Sequence, residues 1–217
     1  MNYWQVVIFS ASIWIAAIIG WVRFNRIEPG FLPFLLCISL ASLNELLSFM
    51  LSRNGHSTML NNNIYVLLEA LLLIWQFKNW GVFGRFRSLF FILLMTLVAL
   101  WMFENLSNPN HAVIIYYFRI AYSFIIVIMS IHVNNLLIVT YRNKLLTSPV
   151  FLICSGFIIY FTYKILVEAF WLYGLRSSKD FLIKVYLLMT WINMIVNLIY
   201  AFALLWIPKK PQHITVS

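Results

Sequence analysis

The sequence is poor in charge. Only 10% of its residues are Asp, Glu, Lys or Arg, against about 25% in an ordinary soluble domain, while 63% are apolar. No water-soluble fold could hide that much hydrocarbon. A chain of 217 residues is also one domain by length, so the apolar excess is not an anchor on a separate soluble body. Cysteine is scarce too. Cys37 and Cys154 both lie inside apolar runs, which supports neither a disulfide scaffold nor a Cys-based zinc site and reads them as small core residues.

Other chemistry is missing as well. His56, His111 and His213 fall in loops or the tail, and only His132 lies in an apolar segment, at its end, so a zinc site built from several intramembrane ligands is not expected. Ser155-Gly156 has no partner histidine in a later segment to activate the serine. A retinal protein needs a Schiff-base lysine near the middle of its last helix, whereas Lys184 stands at the start of that segment. No metal and no cofactor are expected. The net charge of +9 is spread over short loops and forms no basic block, so no specific nucleic-acid binding is expected either. The first apolar stretch has no basic region before it and no A-x-A-like site after it, and is expected to stay as a helix rather than leave as a signal peptide.

What the sequence does hold is a series of apolar segments, each near the roughly 20 residues of helix that cross a hydrocarbon core of about 30 Å. They cover Tyr3–Val22, Phe31–Leu51, Asn61–Trp80, Phe86–Phe103, Ala112–Val133, Pro149–Tyr173 and Phe181–Ile207. The expected fold is an all-α, polytopic membrane helix bundle of seven transmembrane helices in a single domain over residues 1–217. The third segment has a short uninterrupted apolar part and carries Glu69, so a six-span reading with a re-entrant third segment stands beside it. Ordinary helix-stop and turn signals separate the segments: Glu28-Pro29-Gly30, Asn54-Gly55, Gly81 with Gly84, Asn108-Pro109-Asn110, Gly174 and Pro208. The longest break, around Asn134–Ser148, contains Leu136–Val139 and can extend the fifth helix.

Basic residues set the expected orientation. Arg23, Arg26, Lys78, Arg85, Arg87, Arg142, Lys144, Lys209 and Lys210 follow odd-numbered segments, whereas the other side has only Arg53, Arg176 and Lys179. With the basic side in the cytoplasm, seven spans put the N-terminus outside and the C-terminus inside. The expected location is a bacterial inner membrane. Trp4, Trp21, Trp80, Trp171 and Trp206 near segment ends fit an interfacial belt.

Ionisable groups inside spans are costly, usually face the bundle interior and mark function. Here they are Glu45, Glu69, Arg119, Lys164, Glu168 and Lys184. At about 1.5 Å per residue from the outer helix ends, Glu45 and Glu69 fall about 9 Å deep, Arg119 about 10 Å, Lys164 about 13 Å, Glu168 about 7 Å and Lys184 about 4 Å. All lie in the outward half. Polar stripes at helical spacing support a shared inward face: Cys37, Ala41, Glu45, Ser48 and Ser52; Asn62, Tyr65, Glu69 and Gln76; Tyr116, Arg119, Ser123, Ser130 and Asn134; Gly156, Tyr160, Lys164 and Glu168; Tyr186, Thr190, Asn193, Asn197 and Tyr200. The first and fourth segments carry no such stripe and read as peripheral. The expected ligand-binding set is Glu45, Glu69, Arg119, Lys164, Glu168, Tyr65 and Tyr160. Purely structural readings stand beside it: a helix-surface pair for Lys164 and Glu168, an interfacial pair for Lys184 and Asp180, and an ionic buttress for Glu45, Glu69 and Arg119.

Glu45 near the end of the second segment, then Asn63 and Tyr65, then Glu69 in the third, resembles a pattern of small seven-helix bacterial membrane proteins found alone or as input modules before histidine kinases. The resemblance covers about Asn44 to Trp80. It implies sensing or an accessory role, with any signal passed to a cytoplasmic protein partner through the basic inner loops. Glu45, Arg53 and Tyr65 also echo Glu168, Arg176 and Tyr186, similar to the three-plus-one-plus-three plan of the SWEET and semi-SWEET sugar transporters, although the Pro-Gln signature of that family is absent.

The expectation is a non-enzymatic membrane protein whose outward-opening polar pocket binds a small polar or zwitterionic ligand or a lipid headgroup. Its partners are the lipid bilayer and a cytoplasmic protein or a second copy of the chain. The alternatives are a small-solute transporter or channel, an intramembrane lipid-modifying enzyme using Glu45 and Glu69 beside Arg119, and a pore-forming or antiviral accessory protein. No nucleophile or metal motif supports the enzyme.

Overall fold

Many helices end on a residue that turns left-handed and returns two backbone N–H groups to the last carbonyls. Gly55 and Gly81 do this. In the computed structural model, which describes residues 9–84, 86–107, 114–140, 145–172 and 179–208, with the backbone alone at 179, 180, 182, 183 and 186, their φ angles are 72° and 82°. Gly55 and His56 donate to the carbonyls of Ser52 and Leu51, and Gly81 and Val82 donate to those of Lys78 and Phe77. Helix starts use proline, whose missing N–H would be unpaired there anyway. Pro33 lies in the first turn of one helix. Pro149 opens another behind Ser148, whose Oγ receives the Phe151 N–H at 3.4 Å.

The described residues form seven α-helices: α1 Ile13–Val22, α2 Leu32–Arg53, α3 Met59–Asn79, α4 Arg87–Leu106, α5 Tyr116–Thr140, α6 Pro149–Leu172 and α7 Lys179–Trp206. Short 3-10 turns lie at Phe24–Arg26, Pro29–Phe31 and Leu145–Thr147. Five stretches are long and apolar enough to cross a membrane: Pro29–Arg53, Arg87–Leu106, Tyr116–Thr140, Pro149–Leu172 and Leu187–Trp206. The chain is thus a helical membrane protein, with apolar helix faces suited to lipid. α3 has the length, but Asn61, Asn62, Asn63, Glu69, Gln76 and Lys78 dilute its hydropathy.

Two expected boundaries shift. The first segment is not one continuous helix. The chain is helical at Phe9 and Ser10, turns at Ala11 and Ser12, and resumes at Ile13. Ser12 Oγ donates to the Phe9 carbonyl at 2.6 Å, the local bond by which serine competes with helix propagation. α5 begins at Tyr116 rather than Ala112 and continues past Val133 to Thr140, taking in Leu136–Val139. The remainder of the first segment, Arg85, the Asn108-Pro109-Asn110 turn, Arg142, Lys144, Gly174, Arg176, Lys209 and Lys210 lie outside the described residues, as do the side chains of Lys179, Asp180 and Tyr186.

The chain sorts into two compact units. In the unit Glu28–Tyr122, α2 packs along α3, and α3 also meets α4. Gln76 of α3 ties down the start of α2: its Oε1 accepts the Phe34 N–H at 2.9 Å and its Nε2 donates to the Gly30 carbonyl at 2.8 Å. Trp101 of α4 donates its indole N–H to the Asn63 carbonyl at 2.8 Å. Large side chains of α4, among them Phe91, Met95 and Phe103, are exposed, which keeps α4 peripheral as its sequence predicts.

The other unit holds the described parts of Met1–Ile27 and Ser123–Ile207, with α7 packed against both α6 and α1. Gly156 of α6 lets Tyr200 of α7 approach so closely that an added Cβ would stand 2.5 Å from its Cε1. Ala16, Ala17 and Gly20 on α1 are buried, and small residues allow helices in membranes to come close. α1 is therefore a packed helix and not a peripheral one. Asn197 Nδ2 donates to Ser12 Oγ at 2.8 Å, and the Arg23 guanidinium donates to the carbonyls of Leu205 and Ile207, capping the end of α7. The three-plus-one-plus-three plan groups the first three helices, whereas here α1 belongs with α6 and α7.

Candidate functional site

In the unit Glu28–Tyr122, the side chains of interest sit where α2 and α4 end and α3 and α5 begin. Asn44 and Ser48 on α2 face Asn61 and Asn62 on α3. Asn61 Nδ2 donates to Asn44 Oδ1 at 2.7 Å and to Ser48 Oγ at 3.3 Å, and Asn44 Nδ2 donates to Asn62 Oδ1 at 3.3 Å. Such neutral side-chain bonds join membrane helices without adding charge.

One helical turn deeper on α3 is Tyr65, and a further turn leads to Glu69. Glu69 is 5% exposed. Its Oε1 accepts the Tyr65 hydroxyl at 2.7 Å and its Oε2 accepts the Tyr122 hydroxyl at 2.5 Å. Tyr122 is fully buried. The i, i+4 spacing of Tyr65 and Glu69 puts them on one helix face, and the second donor comes from α5. Arg119 lies one turn before Tyr122 on α5. Because α5 starts at Tyr116, Arg119 stands about 4.5 Å inside the helix, not the expected depth of about 10 Å. Glu45 is half-buried on α2 and accepts no hydrogen bond from any described residue.

Glu104 is not among the expected residues, because it lies just past the fourth apolar segment, which ends at Phe103. It is buried, and its two carboxylate oxygens accept the backbone N–H groups of Tyr117 and Phe118 at 3.1 and 2.8 Å. These are donors of the first turn of α5, which has no intrahelical partners for them, and a carboxylate there also complements the helix dipole. Glu104 therefore caps α5 from another helix.

In the other unit, Lys164 and Glu168 stand four apart on α6 and both are buried, so neither is a solvated surface charge. Lys164 Nζ lies 5.5 Å from the ring centroids of both Tyr160 and Phe161, within cation–π range. Tyr160 is half-buried and Lys184 is exposed. The expected set thus divides: Glu45, Tyr65, Glu69 and Arg119 belong to one unit, and Tyr160, Lys164 and Glu168 to the other. Within each unit, the described bonds join Tyr65 to Glu69 and bring Lys164 beside Tyr160.

Sequence reasoning missed Tyr122 and Glu104. Tyr122 had a legible signal, since it follows Arg119 by three residues on one helix face. Glu104 had none, because its partners are backbone groups of the next helix. Among the described residues no group of three or more His, Cys, Asp or Glu could hold a metal ion. Comparison with known proteins gives no match to a family model, to a curated protein or to a solved structure.

Proposed function

We propose that the chain is a seven-span, non-enzymatic sensor or accessory protein of a bacterial inner membrane, with its N-terminus outside and its C-terminus in the cytoplasm. Its site is an outward-opening polar pocket for a small polar ligand or a lipid headgroup. Glu45, Glu69, Tyr65 and Arg119 form it in this reading, and Tyr160, Lys164 and Glu168 on α6 are a separate candidate set in the other unit. The distribution of loop arginines and lysines supports the orientation. With α1 and α3 added to the five apolar stretches, the span count comes to seven.

One observation carries the reading: Glu45 sits half-buried in a spanning helix and no described residue donates to it. Carboxylates in such segments are expensive and ordinarily mark a ligand or ion site. Glu69 is held in place in this site, with both oxygens engaged by tyrosines. Signalling requires a partner that reads the inner loops.

The test uses the full chain in nanodiscs and in proteoliposomes, with a panel of amines, amino acids and phospholipid headgroup compounds. A sensor or accessory protein shows ligand-dependent thermal stabilisation without flux. Solute movement in proteoliposomes would make it a transporter, and conversion of lipid would make it an enzyme. Unchanged stability and unchanged binding in both Glu45→Gln and Glu69→Gln would end the pocket reading.

A further inference from the structure

Three glutamates lie inside the helices of the unit Glu28–Tyr122: Glu45, Glu69 and Glu104. Folding treats them differently. Glu69 receives two tyrosine hydroxyls and Glu104 receives two backbone N–H groups. Glu45 receives nothing from the described residues, although it is half-buried. A carboxylate desolvated without a donor is the costly arrangement, and the fold avoids it at the other two positions.

The surroundings narrow what is missing. Asn44, Ser48, Asn61 and Asn62 bond one another and bring no net charge, so they do not neutralise Glu45. Arg119 makes its interactions with groups other than Glu45. Among the described residues no cation meets Glu45, and the complement that suits it is positive and donates hydrogen bonds. No group of three or more His, Cys, Asp or Glu is found among the described residues, so Glu45 does not belong to a carboxylate-rich site of the kind that favours a hard divalent cation. An anionic group would be repelled, and a neutral one would leave the charge uncompensated.

We infer that Glu45 binds the protonated nitrogen of an ammonium-bearing molecule, either a free small amine or the headgroup of an aminophospholipid. This rests on the pocket reading above and specifies its ligand. Asn44 and Ser48, within three residues of Glu45 on α2, belong to an amide cluster that suits the hydroxyl or ester oxygens next to such a nitrogen, since amides both donate and accept.

The experiment measures thermal unfolding of the full chain in phosphatidylglycerol nanodiscs, which contain no amine. Ethanolamine is titrated against N-acetylethanolamine, its neutral counterpart, and glycerol 3-phosphate, at matched ionic strength. The midpoint should rise with the logarithm of ethanolamine concentration and with neither control. Glu45→Gln should need about 10- to 100-fold more ethanolamine for the same rise, the loss expected for a hydrogen bond to a charged group. The ligand-free variant should unfold no earlier than the parent, because no internal bond is removed. Glu45→Asp, which keeps the charge, should retain part of the response. Replacing the lipid with phosphatidylethanolamine should raise the midpoint through Glu45 if the headgroup is the source, and free ethanolamine should then add nothing. An equal response to N-acetylethanolamine, a response to glycerol 3-phosphate alone, or an undiminished ethanolamine response in Glu45→Gln would overturn the amine assignment while leaving a polar pocket. No stabilisation by any probe in either lipid would overturn both.

Discussion

Tyr122 of α5 gives its hydroxyl hydrogen to Oε2 of Glu69 on α3 at 2.5 Å, while Tyr65 serves Oε1 from one turn away on α3 itself. The two donors are not equivalent. Tyr65 is half-exposed and local, whereas Tyr122 is fully buried and joins two helices.

Tyr122→Phe leaves a buried carboxylate oxygen without its donor and should lower stability by about 1–2 kcal/mol, combining the value of a bond to a charged group with the smaller values found in membranes. Tyr65→Phe should cost less, because water can replace its hydroxyl. Unfolding by chemical denaturant in detergent distinguishes the two, and equal losses would contradict the ranking.

Glu69→Gln should destabilise as well. The amide keeps one acceptor but turns an NH₂ group toward a tyrosine hydroxyl that had been donating. Glu45→Gln disrupts no such bond. The pair should therefore differ in sign or in clear magnitude when compared by thermal unfolding without ligand, and parallel losses would show that Glu45 has an internal partner.

Glu104→Ala frees the N–H groups of Tyr117 and Phe118 and should cost about 1–2 kcal/mol, as the removal of a helix cap does. Hydrogen exchange at those two amides should accelerate with the rest of α5 unchanged. Unaltered exchange there would show that the cap is not needed.

Gly156→Ala places a methyl group 2.5 Å from Tyr200 Cε1, and overpacking of this kind costs about 1–3 kcal/mol. Adding Tyr200→Leu should recover part of the loss, since contacting positions are not additive. A double variant as unstable as the sum of the singles would remove the steric explanation.

Helical architecture was readable because apolar segments of membrane length have few alternatives, and because Gly55, Gly81 and Pro149 stand where caps and first turns need them. The break at Ser12 was not readable, since it depends on a hydroxyl finding the Phe9 carbonyl and on Asn197, which is 185 positions away in the chain. The candidate site was legible in part. Helical spacing joined Tyr65 to Glu69 within α3, but pairing across helices depends on rotation and depth that one-dimensional spacing does not contain. Arg119 shows this: a helix start displaced from Ala112 to Tyr116 changes its level by more than a turn.

The double contact of Gln76 bears on how the protein is made. The amide hydrogen of Phe34 finds its acceptor 42 residues further along the chain, on a helix that leaves the ribosome later. Until α3 arrives, the entrance of α2 carries a donor that lipid tails are unable to satisfy. The entrance of α2 is thus completed only when α3 packs against it, and a nascent chain halted before residue 76 would leave that N–H to another acceptor.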